Sequence, residues 1–304
     1  MLSTKLCGIK LDNPTILASG ILGVTASSLI NAANNGAGAV TTKSISLEER
    51  KGHSNPVIVT FEGGMINAVG LSSPGIENGI EEVKEFKKRS KTPIIASIFA
   101  SKTAEFGEAA KRISEAKPDL IEVNISCPNV EAEFGKLFAA DAKVAASVTE
   151  IVKNSTKIPV FVKLSPNVSN IKEIAKAVEA AGADGITAVN TAGPGMVIDI
   201  KTAKPILHNK MGGISGAALR PIAVRCVYDI YETVKIPIIG TGGITNGRDA
   251  VEMLMAGATA VGIGSGVYYR GIDVFKKVCS EIEEFMKKEG YKNLKEIIGK
   301  AHEN

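Results

Sequence analysis

Lys235-Ile236-Pro237-Ile238-Ile239-Gly240-Thr241-Gly242-Gly243-Ile244 passes from a proline through a short apolar run into a hydroxyl and two glycines. Its first half recurs twice upstream, as Lys91-Thr92-Pro93-Ile94-Ile95 and Lys157-Ile158-Pro159-Val160-Phe161. Proline suits the first residue of a strand, where its missing N–H breaks no ladder bond. A second phrase repeats as Gly36-Ala37-Gly38-Ala39-Val40, Gly182-Ala183-Asp184-Gly185-Ile186 and Gly257-Ala258-Thr259-Ala260-Val261. Its leading glycine fits the left-handed residue that commonly ends a helix. Together the two phrases punctuate a chain that alternates helices with short buried strands.

Between these marks lie eight apolar runs: Ile16–Ser19, Ala39–Ser44, Ile94–Ile98, Leu120–Ser126, Val160–Ser165, Ile186–Thr191, Ile238–Gly242 and Ala260–Ser265. Amphipathic segments such as Ile171-Lys172-Glu173-Ile174-Ala175-Lys176-Ala177-Val178-Glu179 separate most of them. Continuous apolar strands alternating with helices predict a parallel sheet covered on both faces. Eight such units favour an α/β fold of the closed (β/α)8 barrel type, with a doubly wound open sheet as the alternative. A single domain over residues 1–304 is expected, with about 1–14 capping the barrel and about 273–304 forming a helical tail. Two connections, from about Ile45 to Gly79 and from Ala192 to Ala217, exceed simple turns. Both follow strands, so they are expected as long βα loops on the C-terminal face, acting as lids or substrate walls.

The 304 residues are 44% hydrophobic and 22% charged, which describes a globular rather than a disordered chain. The net charge of +4 is modest, and basic residues are interleaved with acids, as in Lys84-Glu85-Phe86-Lys87-Lys88-Arg89. Such faces read as solvated surface rather than as a nucleic-acid patch. Cys7, Cys127, Cys226 and Cys279 lie far apart with no C-x-x-C, and His53, His208 and His302 are equally scattered. No metal site is indicated, and a reducing compartment is expected. Met1–Cys7 lacks the basic and apolar parts of a signal peptide. No apolar run approaches the ~20 residues that cross a bilayer. The expectation is a cytoplasmic protein without a membrane segment.

Each run ends in polar residues: Ser19, Lys43-Ser44, Ser97, Asn124 with Ser126, Lys163 with Ser165, Asn190-Thr191, Thr241 and Ser265. In a parallel barrel these ends meet at one rim, where chemistry is usually sited. Polar strand ends in general would account for the serines and threonines. They account poorly for Lys43 and Lys163, because a desolvated ammonium needs an acceptor or an anion. No acidic residue stands at these strand ends, so a ligand is expected to supply the negative charge. Gly240-Thr241-Gly242-Gly243 and Gly262-Ile263-Gly264-Ser265-Gly266 follow the last two strands. Backbone N–H groups at such turns form anion cradles, and in eight-fold barrels they commonly hold phosphate.

With these residues assembled, the chain resembles the soluble, cysteine-using dihydroorotate dehydrogenases. The resemblance runs from Leu6 to about Arg270. It is carried, in order, by Ala18-Ser19-Gly20, Thr42-Lys43-Ser44, and Asn67-Ala68-Val69-Gly70-Leu71 with Pro74-Gly75. Asn124-Ile125-Ser126-Cys127-Pro128-Asn129, Val162-Lys163-Leu164-Ser165-Pro166-Asn167, Asn190-Thr191, Gly212-Gly213-Ile214-Ser215-Gly216 and the two glycine stretches complete it. The resemblance implies FMN across the barrel mouth, its phosphate on Gly242-Gly243 and Gly264-Ser265 with Gly216 nearby. Ser19, Lys43, Ser44, Asn124, Lys163 and Val189 would line the rest of the cofactor. Lys43, the loop Asn67, Ala68, Val69, Gly70 and Leu71, and Asn124, Asn190 and Thr191 would meet dihydroorotate. Cys127 would take the proton from C5, its ordinary pKa of about 8.5 being close enough to neutrality for a thiolate fraction to serve. Ser97 stands where the family often has asparagine, which would weaken or replace one flavin contact. Ser72-Ser73 before Pro74 and Val130–Gly135 also depart from the common pattern.

Cysteine as base and the short start separate the chain from the membrane-bound, serine-using class. Two electron acceptors remain open. The run Ser126–Val130 and the stretch Gly195-Met196-Val197-Ile198-Asp199 resemble the NAD-linked form. That form implies a partner subunit with FAD and a [2Fe–2S] cluster, in a heterotetramer of two catalytic and two electron-transfer chains. The alternative is a single-subunit, fumarate-linked enzyme. A dihydropyrimidine dehydrogenase-like flavin barrel and a sugar-phosphate barrel are the competing classes.

Overall fold

The computed structural model describes residues 1–126 and 140–303. The chain begins with a hairpin of β1 (Thr4–Leu6) and β2 (Ile9–Leu11), followed by β3 (Thr15–Leu17), α1 (Ala26–Asn34) and β4 (Ala39–Thr41). A second hairpin, β5 (Ile58–Phe61) and β6 (Gly64–Asn67), precedes α2 (Ile76–Arg89), β7 (Ile94–Ile98), α3 (Thr103–Ile113) and β8 (Leu120–Asn124). Next come α4 (Ala142–Ser155), β9 (Val160–Leu164), α5 (Ile171–Ala180) and β10 (Gly185–Ala188). Four short strands, β11 (Ala192–Gly195), β12 (Ile198–Asp199), β13 (Lys204–Pro205) and β14 (Gly212–Ser215), lead into α6 (Arg220–Tyr231). The chain closes with β15 (Ile238–Thr241), α7 (Gly247–Met255), β16 (Ala260–Ile263), α8 (Gly266–Arg270) and α9 (Val274–Glu289).

Strands β3, β4, β7, β8, β9, β10, β15 and β16 pair in that order, all parallel, and β16 pairs back with β3. The result is the closed (β/α)8 barrel expected from the repeated phrases, and the open doubly wound sheet is excluded. All eight strands lie within or within one residue of the apolar runs, and the polar ends of those runs fall in the last residues of the strands or just beyond them.

Alternation along each strand sorts the side chains between two cores. Inward-facing Ile16, Ala39, Ile95, Leu120, Phe161, Ile239 and Ala260 fill the N-terminal half of the barrel. Leu6 and Leu11 from the β1–β2 hairpin complete that cluster, both fully buried. Phe161 takes its place because Gly185 on the adjacent strand has no side chain; a Cβ there would lie 2.2 Å from the ring. Outward-facing Leu17, Val40, Ile94, Ile121, Val162, Ile186 and Val261 pack instead against the helices. Each helix supplies one apolar stripe to this outer core. In α5 it is Ile171, Ile174, Ala175 and Val178, started by Asn170 accepting from the Glu173 N–H. In α9 it is Val274, Phe275, Val278, Ile282 and Met286, so this helix covers the outside of β3 beside α7.

The two long connections are more structured than loops. Of their strands, β12 and β13 pair as a separate hairpin, and the other four combine into one antiparallel sheet in the order β11–β14–β6–β5, with Ile214 opposite Ile66 and Gly213 opposite Asn67. Ile66, Ala68 and Leu207 form its own small apolar cluster. Strands this short carry almost no periodic signal, and their partners lie about 150 residues away.

The hairpin plug makes Leu11 a test of the inner core. Leu11→Ala is expected to lower the unfolding free energy by about 2–5 kcal/mol, as for other buried leucines, in urea denaturation. Lys10→Ala, on the exposed side of the same strand, should stay within about 0.5 kcal/mol of the parent.

Candidate active site at the barrel mouth

A cavity of about 640 Å³ opens at the C-terminal ends of the barrel strands, within the usual size of a small-molecule site. Ser19, Lys43, Ser44, Asn124, Lys163 and Val189 line its floor and walls. Asn67, Ala68, Val69, Gly70 and Leu71 form one side, Asn190 and Thr191 another. Gly242, Gly243, Gly264 and Ser265 reach it from the last two strands. Gly216 stands behind this lining: its carbonyl oxygen lies 2.7 Å from where a Cβ on Gly243 would sit. Cys127 lies outside the described residues, as do Val130–Gly135; the last described residue before them is Ser126, which hydrogen-bonds the cavity-lining Asn124 and Asn190.

Above the apolar floor of the barrel, the inward-facing residues become polar. Lys163 and Glu122 are both almost fully buried, and Lys163 Nζ is 3.8 Å from Glu122 Oε1. This corrects the sequence reading, which placed no carboxylate beside the lysines and assigned the countercharge to a ligand alone. Glu122 lies inside β8 rather than at its end, and alternation sends it inward two residues before Asn124. At 4 Å and an effective dielectric near 20 two unit charges attract by about 4 kcal/mol. Desolvation costs several kcal/mol per ion, so the pair contributes little net stability. Its consequence is positional.

The carboxylate continues into a line of side-chain contacts. Ser97 Oγ donates to Glu122 Oε1 at 3.0 Å and lies 2.9 Å from Ser44 Oγ, which is 3.2 Å from Ser19 Oγ. Ser97 is fully buried beneath the cavity and faces Glu122 and Ser44, so its hydroxyl serves the interior network. Asn124 is held at both ends of its amide. Its Nδ2 donates to Ser44 Oγ at 3.2 Å, and its Oδ1 accepts from Ser126 Oγ at 2.8 Å. Ser126 Oγ in turn accepts from Asn190 Nδ2 at 2.7 Å. Two amides from different strands are thereby fixed in rotamer, with donors and acceptors suited to the edge of a polar ring.

The loop Asn67–Leu71 rests on the segment before it. His53 N–H donates to Val69 O at 3.0 Å, and His53 Nδ1 lies 3.0 Å from Ala68 O. On the opposite wall Asn167 bridges two turns: its Nδ2 donates to Thr191 O at 3.2 Å and its Oδ1 accepts from Gly193 N–H at 3.0 Å.

The turn after β15 is built to expose backbone. Gly242 and Gly243 have φ of +144° and +73°, and a Cβ would meet Ala223 or Arg220 at 2.6 Å. Only glycine fits both the dihedrals and the space. Asp249 fixes the turn from below. Its Oδ2 accepts from Thr245 N–H at 2.9 Å and from Thr245 Oγ1 at 2.7 Å, while its Oδ1 accepts from Arg220 Nη1. Asn246 and Asp249 also form the capping box of α7. After the adjacent strand β16, Gly264 is open: an added Cβ would find only Ala18 Cβ, at 3.8 Å. This is the arrangement of a phosphate cradle.

The described thiols lie elsewhere. Burial pushes the Cys279 thiol up to about 11 and raises that of Cys226, so both remain protonated near neutrality. Sequence reasoning missed Glu122, Asn167, Asn209 and Met211 among the groups at or beneath the cavity. Glu122 was detectable in principle, as an acid inside an otherwise apolar strand. Asn209 and Met211 carried no comparable signal, because the fold of the second insertion brings them in.

Residues 1–286 match the sequence profile of the dihydroorotate dehydrogenase family. The chain is 51% identical over 306 residues to the Methanocaldococcus jannaschii protein named dihydroorotate dehydrogenase B (NAD(+)), catalytic subunit, covering 100% of this chain and 99% of that one. It is 46% identical to the Pyrococcus abyssi protein of the same name, covering 99% of each chain. The crystal structure of a DHODH from Eimeria tenella in complex with ferulenol shares its fold, with a TM-score of 0.85 at 22% identity over 100% of this chain and 89% of that one. With nearly its whole length matched, the chain belongs to the dihydroorotate dehydrogenase family.

Proposed function

We propose that this chain oxidises dihydroorotate to orotate in pyrimidine (UMP) synthesis, with FMN as its resident cofactor and Cys127 as the base. The observation that carries this reading is the convergence of two lysines, two fixed asparagines and two glycine turns on one cavity. FMN suits that cavity on two counts. The Gly242-Gly243 turn presents N–H groups for a phosphate, and Gly264 leaves bare space beside it. The chemistry that a bound FMN supplies there is acceptance of the hydride leaving C6.

The protein's own residues would do the rest. Asn124 and Asn190 orient the substrate ring with amide groups that are already locked, which reduces the ordering cost on binding. The Asn67–Leu71 loop closes one side and Lys43 offers a cation to an anionic substrate. Lys163, held beneath, favours the negative charge that grows at the cofactor as C6 is oxidised. The thiolate of Cys127 takes the C5 proton, so one proton and one hydride leave the substrate as the C5–C6 double bond forms. The names of the relatives support NAD⁺ as final acceptor and a partner subunit beside the catalytic one. In this reading the partner carries FAD and a [2Fe–2S] cluster, and two of each chain form the assembly. Among the described residues no helix is long and apolar enough to cross a membrane.

Purified protein should be yellow and should bleach when dihydroorotate is added without oxygen; protein that folds but takes up no FMN would overturn the proposal. Cys127→Ala is expected to keep its flavin while anaerobic stopped-flow reduction slows by roughly 10²–10⁴-fold at neutral pH, the usual contribution of a general base. Wild-type reduction rates in that variant would remove Cys127 from the role. Gly264→Leu, whose side chain enters the cavity, should fold with a near-parental melting temperature yet bind FMN at least tenfold more weakly in a fluorescence titration of the apoprotein. Undiminished affinity would place the cofactor elsewhere.

A further inference from the structure

We infer that Glu122 is a positioning residue for Lys163: its buried carboxylate fixes the ammonium under the cavity and sets the charge that a bound flavin experiences. The inference rests on the FMN reading above and extends it to a residue that does not touch the cavity.

Three observations carry it. Glu122 is 3% exposed and sits one inward-facing position below Asn124 on β8, beneath the cavity rather than in its wall. Its Oε1 is 3.8 Å from Lys163 Nζ and accepts from Ser97 Oγ at 3.0 Å, so the carboxylate is itself held from the neighbouring strand. Around Lys163, Thr187 stands directly opposite on β10, and its hydroxyl makes no hydrogen bond among the described residues. Among the described residues, Glu122 is the charged partner of the Lys163 ammonium.

Removal of either partner from such a pair leaves the other charge buried and uncompensated, whereas removal of both restores neutrality. Lys43, Lys163 and Glu122 together sum to a single positive charge at and beneath the cavity. Glu122 therefore offsets part of the field that favours a reduced, more negative cofactor. A carboxylate that merely filled space in the barrel would have no such effect.

The test is a double-mutant cycle on the whole chain, with FMN as the probe. Apoprotein of the parent, Glu122→Gln, Lys163→Met and the double variant is titrated with FMN by fluorescence quenching. The midpoint potential of each loaded protein is then measured. Glu122→Gln keeps the shape and can still accept from Ser97. It is expected to weaken FMN binding about tenfold and to favour reduced over oxidised flavin about tenfold, about 30 mV upward for a two-electron couple. In the Lys163→Met background the same substitution should no longer weaken binding and should raise the melting temperature. Glu122→Asp, which keeps the charge, should hold the potential near the parental value and guards against a Gln variant that fails to fold. An unchanged or lowered potential in Glu122→Gln, or a loss of FMN affinity that persists undiminished beside Lys163→Met, overturns the assignment. Parental protein that takes up no FMN would instead defeat the functional reading, and this inference with it.

Discussion

Period-two alternation of eight parallel strands around a closed axis is the constraint on which everything else depends. Every second residue of each strand must enter one narrow cylinder, which the side chains have to fill. The N-terminal half meets that demand with Ile16, Ile95, Leu120, Phe161 and Ile239, sealed by Leu6 and Leu11. One position further along, the same strands send in Ser97, Glu122, Lys163, Thr187 and Thr241. Ser97, Glu122 and Lys163 are tolerated because each lies beside a polar group of another strand, and because the cavity begins immediately above them.

Much of this was legible in the sequence, and what was not has physical reasons. The recurring Lys-x-Pro and Gly-Ala phrases are local consequences of strand starts and helix ends, so six of the eight strands could be read from them, and apolar runs marked the other two. The cavity lining was legible for the same reason, since polar tails at the ends of parallel strands must meet. Glu122 was passed over because it lies within a strand, where its direction depends on register rather than on position in the run. The sheet formed by β5, β6, β11 and β14 was unreadable, because pairing between Ile66 and Ile214 is fixed only when the barrel brings the two insertions together. Cys127 rests on sequence alone, since it lies outside the described residues.

That sheet has a role in the site that separate lids could not have. Strand β6 runs directly into the Asn67–Leu71 loop, and β14 runs into Ser215 and Gly216 behind the glycine turn. The wall assigned to the substrate and the backing of the anion cradle are therefore adjacent strands of one sheet. A Cβ on Gly216 would lie 2.8 Å from Gly64 Cα, and one on Gly64 would lie 2.4 Å from Ser215 O. Backbone contact this close leaves little freedom for one wall to shift without the other.

The mouth is also chemically lopsided, and the lopsidedness follows strand order. From β3 round to β10, side chains cross from strand to strand: Ser19 to Ser44, Ser44 to Ser97, Ser97 to Glu122, Glu122 to Lys163, and Asn190 to Ser126. Across β15 and β16 the described residues form no such belt; glycines present bare backbone, braced from beneath by Asp249 and Arg220. A belt of interlocked side chains resists rotation of each member and so holds donors and acceptors at fixed angles, which suits a flat polar ring. A turn of exposed N–H groups places partial positive charge without any rotamer to order, which suits an anion. One molecule with a planar ring at one end and a phosphate at the other would use both halves, and either half alone would hold only part of it.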